Sequence, residues 1–116
     1  METLEINIFS GDTITIDIEL TDDNNNPINI TNAKLYITVK ENIAYPDTQA
    51  IIKKEIDCNN FQNSLNMSVV LNSNETKRLQ GGKIYFFDVR IKFSNGNVIT
   101  LGYGKISVKE PITKGI

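Results

Sequence analysis

Along residues 81–93 large apolar side chains fall on every second position: Tyr85, Phe87, Val89, Ile91 and Phe93, with Asp88, Arg90 and Lys92 between them. A period of two belongs to a strand buried on one face. This is the longest such run in the chain, and the other segments read as its pairing partners. Its even face is not uniformly polar, because Ile84 and Phe86 lie there too.

Six further runs alternate in the same way. Leu4, Ile6 and Ile8 define a short first strand that ends at Ser10-Gly11-Asp12. Ile14, Ile16, Ile18 and Leu20 define a second with one wet face, closed by Asp22-Asp23-Asn24-Asn25-Asn26-Pro27, where turn formers and a proline end the ladder. Leu35, Ile37 and Val39 point inward from the third, with Lys34, Tyr36, Thr38 and Lys40 outward. Residues 41–49 form a longer connection, and residues 50–56 a poorer strand in which Lys54 shares a side with Ile52 and Ile56. A lysine on the apolar side is a mark of a sheet edge that discourages unwanted pairing. Residues 57–64 read as an Asn-rich turn. Leu65, Met67, Val69 and Leu71 form the inward side of the fifth strand, and residues 72–79 allow one helical turn with Ser73 as its cap. The central strand leaves through Ser94-Asn95-Gly96-Asn97, a hairpin sequence. In the last strand the inward parity changes from Ile99 and Leu101 to Ile106 and Val108, so one residue must be absorbed, and Gly102-Tyr103-Gly104 is the natural bulge.

Seven short strands separated by turn sequences predict an all-β fold, a seven-stranded immunoglobulin-like antiparallel β-sandwich, with a small closed barrel as the alternative. Leu79 at a corner followed by Tyr85 early in the sixth strand matches the tyrosine corner of that fold. The sandwich is expected to span residues 1–110, with residues 111–116 as an extended tail after Glu110-Pro111.

At 116 residues, 40% hydrophobic and 22% charged, the chain has the size and composition of one globular domain. Twelve basic against fourteen acidic residues, scattered along the sequence, give a net charge of −2 and no electrostatic footprint for nucleic acid or a membrane surface. The chain has no histidine and one cysteine, Cys58, so Ser-His and Cys-His pairs cannot form and most zinc sites are excluded. Cys58 sits in a turn sequence and reads as a reduced, inert thiol. Met1-Glu2-Thr3-Leu4-Glu5-Ile6 does not resemble a signal peptide, and no apolar run spans a membrane, so folding in a cytoplasm is expected. The Asp22–Asn26 run begins like a calcium loop, but Pro27 stands where that loop needs glycine and Ala33 where it needs glutamate. Asp17, Glu19 and Asp88 lie on outward faces where solvent is expected to leave their pKa values normal, and no two carboxylates pair as acid and base. Neither catalysis nor a cofactor is expected.

In an immunoglobulin-like order the third, sixth and seventh strands share a sheet, gathering Tyr36, Ile84, Phe86 and Tyr103 on one outer surface. Such a patch calls for a protein partner, unless the connection before Ala50 folds over it. The first strand offers an edge for strand addition. The same aromatics, together with Tyr45, would also serve a carbohydrate- or cell-surface-binding module.

Several segments carry a family resemblance. Ser10-Gly11-Asp12-Thr13, the run from Pro27 to Leu35, the set Glu75-Thr76, Leu79, Gly82-Lys83 and Tyr85 to Val89, and the ending from Gly96 to Val108 resemble small immunoglobulin-like proteins of tailed-bacteriophage virions. These are similar to N-terminal domains of upper baseplate proteins and to tail or head accessory proteins. The resemblance implies a non-enzymatic building block, present in several copies in a symmetric assembly, that docks onto other virion proteins. It carries over no functional residue.

Overall fold

The computed structural model describes residues 2–21, 24, 26, 28–60 and 66–116. Among them are seven strands: β1 (Glu2–Phe9), β2 (Ile14–Glu19), β3 (Lys34–Lys40), β4 (Ile52–Asp57), β5 (Asn66–Leu71), β6 (Ile84–Lys92) and β7 (Val98–Lys109), with a one-turn helix α1 (Ser73–Thr76). Of the expected elements, Leu65, residues 61–64 of the Asn-rich turn and the loop residues Asp22, Asp23, Asn25 and Pro27 lie outside the described residues.

The strands form a five-stranded sheet in the order β1-β7-β6-β3-β4 and a two-stranded sheet, β2-β5. The longest alternating run takes the middle position because it has apolar residues to bury along its whole length. Its inward Tyr85, Phe87, Val89 and Ile91 join Leu35, Ile37, Val39, Ile106 and Val108 of the same sheet against Ile16, Ile18, Met67, Val69 and Leu71 of the other. The two sheets share no ladder among the described residues, so the fold is a sandwich-like pair of sheets and not a closed barrel.

The expectation of a purely antiparallel fold is corrected: β1 runs parallel to β7, from Glu2 opposite Gly102 to Phe9 opposite Lys109, so the larger sheet is mixed. Alternation sets which face is buried but carries no information on strand direction. The tight turn at Ser10–Asp12, held by the Phe9 N–H donating to Asp12 Oδ2 at 3.1 Å, switches the chain from one sheet to the other without forming a hairpin. Close approach of β1 depends on Gly104, where a Cβ would run into the Leu4 carbonyl.

Four local readings are refined. The parity change in β7 occurs one residue earlier than Gly102: Val89 faces Gly102 and Arg90 faces Thr100, leaving Leu101 as the extra, buried residue. Ile99 shares the inward side with Ile91 but stays exposed at the sheet end. Asn72, not Ser73, caps α1, accepting from the Glu75 N–H at 2.9 Å while the Glu75 carboxylate accepts from the Asn72 N–H at 3.0 Å. That reciprocal pair satisfies two donors left over at the helix start. Cys58 begins a 3-10 turn, Cys58–Asn60, but its side chain is wholly buried, and desolvation with the nearby Asp57 charge raises its thiol pKa.

Two polar contacts lock the frame. The Tyr85 hydroxyl accepts the Gln80 N–H at 2.8 Å beside buried Leu79, the geometry of a tyrosine corner. Lys54, pointing inward from edge strand β4, donates to the Val70 carbonyl at 2.8 Å and to Glu75 Oε1 at 3.0 Å. The lysine therefore ties the rim of the large sheet to β5 and α1.

Candidate functional site

Ladder register, more than chain proximity, assembles the outer face of the large sheet. Thr3, Tyr103, Asp88, Thr38 and Lys53 lie in one row across all five strands, because each is paired with the next. A second row runs Glu5, Lys105, Phe86 and Lys40; a third brings Arg90 beside Tyr36 and Glu55. The bulge at Leu101 keeps both Tyr103 and Thr100 on this face across the parity change.

The connection between β3 and β4 makes one wall. Lys40, its side chain only 18% exposed, pairs with Asp47 Oδ1 at 2.8 Å and donates to the Tyr45 carbonyl at 2.8 Å, while Lys53 holds Asp47 Oδ2 at 3.0 Å. Those two lysines hold the Asp47 carboxyl below its ordinary pKa. Lys83 anchors the start of the connection through Glu41 at 2.7 Å. The segment thus folds over one side of the face and leaves the rest open.

What remains is a trough of about 660 Å³ along β6. Its floor carries Phe86, Asp88, Arg90 and Lys92; Thr3, Glu5 and Tyr103 flank it on one side, and Thr38, Lys40, Ile43, Asp47 and Lys53 on the other. Of the four residues expected on this surface, Tyr36, Phe86 and Tyr103 line the trough. Ile84, 54% exposed, stands apart at the sheet end. Tyr45, the further aromatic, is not among the residues lining the trough and accepts from Lys40 through its backbone carbonyl.

Asp88 overturns the expectation of a normal carboxylate. Desolvation raises its pKa against the opposing pull of Arg90 and Lys40, and it makes no hydrogen bond or ion pair among the described residues. Alternation places it outward, but the concavity that it shares with Ile43 and Asp47 of the 41–51 connection is not encoded by alternation. Arg90 and Lys92 are likewise without an ion-pair partner among the described residues, and Lys105 lies 6.0 Å from the Phe86 ring centre. The Tyr36 hydroxyl is occupied, donating to Glu55 Oε1 at 3.0 Å, a bond that raises its pKa. Stacking faces, carboxylate acceptors and several cationic donors in one concavity equip the site to hold a ligand. Among the described residues no cluster of His, Cys, Asp or Glu could hold a metal ion.

Neither protein-family models nor curated proteins give a match to this chain.

Proposed function

We propose that this chain is a structural component of a tailed-bacteriophage virion, a baseplate, tail or neck and head accessory part, that docks onto other virion proteins in several copies and performs no chemistry. The finer architecture, an immunoglobulin-like sandwich, belongs to the same reading: three adjacent strands β3, β6 and β7, the opposing pair β2 and β5, and the Tyr85–Gln80 corner all favour it.

The observation that carries the docking reading is the β1 end of the large sheet. β1 is an edge strand, with one side of its backbone ladder turned away from β7. Phe9 at its end and Ile84 two strands away expose large apolar side chains on the same outer face, 46% and 54% respectively. An edge ladder beside an exposed apolar corner suits strand addition by a neighbouring subunit.

Mass spectrometry of washed particles from the phage that encodes the chain tests this. The chain should be present at a fixed ratio to the major capsid protein, and Ile84→Asp should lower that ratio while leaving the purified protein folded. Absence of the wild-type chain from washed particles would overturn the reading.

A further inference from the structure

The trough on the outer sheet face has features that docking through the β1 end does not use. From Phe86 to Lys92 its floor extends roughly 20 Å, at about 3.3 Å per residue. That suits an extended chain better than a compact metabolite. The floor alternates in chemistry: an aromatic ring, a carboxylate, a guanidinium and an ammonium follow one another at every second residue. Asp88 and Arg90 are near neighbours on that face yet form no ion pair with each other, so an acceptor and a planar set of donors both remain available.

A charged floor of this kind argues against an apolar protein knob, since the cores of protein interfaces are depleted of charge. It argues against a nucleic acid too: the trough mixes five basic side chains with Glu5, Asp47 and Asp88 in a chain of net charge −2. An oligosaccharide matches it better. A pyranose presents a flat C–H face that stacks on an aromatic ring, as Phe86 and Tyr103 offer, and a rim of hydroxyls that both donate and accept. Asp88 can accept from vicinal hydroxyls and Arg90 can donate to them, giving the few placed polar groups that orient a ligand in a pocket.

Charge fixes the polarity of the fit. At one end Arg90 and Lys92 line the trough without an ion-pair partner among the described residues, while Lys34, opposite Lys92 in the ladder, is held by Glu55 at 3.6 Å. A carboxylate on the sugar belongs there.

We infer that the trough along β6 binds an extended oligosaccharide, an acidic one in preference to a neutral one, through Phe86, Tyr103, Asp88 and Arg90. The inference does not rest on virion membership. Its test is an NMR titration of the full chain with hyaluronan hexasaccharide, a uronic-acid oligomer, and with chitohexaose, a neutral one. Amide shifts should concentrate in β6 and β7 around Asp88 and Tyr103, with hyaluronan binding at least several-fold tighter. Arg90→Gln and Tyr103→Ala, both at exposed positions where folding is little affected, should each weaken hyaluronan binding about tenfold, and Arg90→Gln should erase the preference over chitohexaose. The inference is overturned if neither sugar shifts the trough residues, or if both variants bind like the wild type. Either outcome leaves the particle measurement unaffected.

Discussion

Lys54 offers the sharpest test of how the two sheets are held together. Its ammonium reaches Val70 of the small sheet and Glu75 of α1, with the Lys54 and Glu75 side chains 30% and 17% exposed. Exposed ion pairs contribute about 0.2–1 kcal/mol, whereas removing one partner of a fully buried pair costs about 3–5 kcal/mol. This pair lies between those limits, and Lys54→Met also leaves the Val70 carbonyl without its donor, so a loss of about 2 kcal/mol is expected. For a domain of this size that corresponds to a fall of roughly 8 °C in Tm. Glu75→Gln keeps an oxygen to accept from the Asn72 N–H and should cost less, about 1 kcal/mol.

Urea unfolding of both single variants and the double variant isolates the pair, with an expected coupling of about 1 kcal/mol. The pH dependence supplies a second check. Burial disfavours the Glu75 carboxylate, but the Asn72 N–H, Lys54 and Arg78 outweigh it, leaving the pKa below its ordinary value. A carboxyl depressed in the folded state stabilises above its unfolded pKa of about 4.3 and loses that contribution as pH falls through the folded value. The cost of Lys54→Met should therefore shrink below about pH 4. A cost under about 0.5 kcal/mol at pH 7, or zero coupling, would show that Lys54 only discourages edge pairing, the role its sequence pattern alone implies.

Three further outcomes follow from single contacts. Tyr85→Phe keeps the buried ring but strips the acceptor from the Gln80 N–H, and should cost about 1–2 kcal/mol by urea unfolding with faster exchange of the Gln80 amide. Gly104→Ala forces a methyl into the Leu4 carbonyl and should loosen β1, seen as lost amide protection across Glu5–Phe9 and destabilisation of about 1–3 kcal/mol. Asp88→Asn should raise Tm at pH 7, because a carboxyl whose pKa is raised by desolvation disfavours the folded state once ionised; the gain should vanish below about pH 4, where both states are protonated.

Strand positions and their buried sides were legible because alternation is a local property: the parity of Tyr85, Phe87, Val89 and Ile91 fixes a face whatever the strand pairs with. The tyrosine corner was legible for the same reason, its partners lying five residues apart. The direction of β1 was not, since the contact that decides it joins Leu4 to Gly104 across nearly the whole chain. The inward Lys54 was visible as an anomaly, but its meaning lay in Val70 and Glu75, brought near only when the sheets close.

The trough repeats that division. Phe86, Tyr103 and Tyr36 were expected on one surface from strand order, and they line it. The environment of Asp88 is not legible in the same way, because alternation reports only which side a residue takes, not what stands above it. Three long side chains, Lys40, Lys53 and Lys83, set the path of residues 41–51 through Asp47, Tyr45 and Glu41. Those contacts turn a flat sheet face into a walled one and raise the cost of charging the carboxylate on its floor. The same setting gives Asp88 its use: half-desolvated and without a protein partner among the described residues, it has less water to give up on accepting a ligand hydroxyl than a carboxylate in open water has.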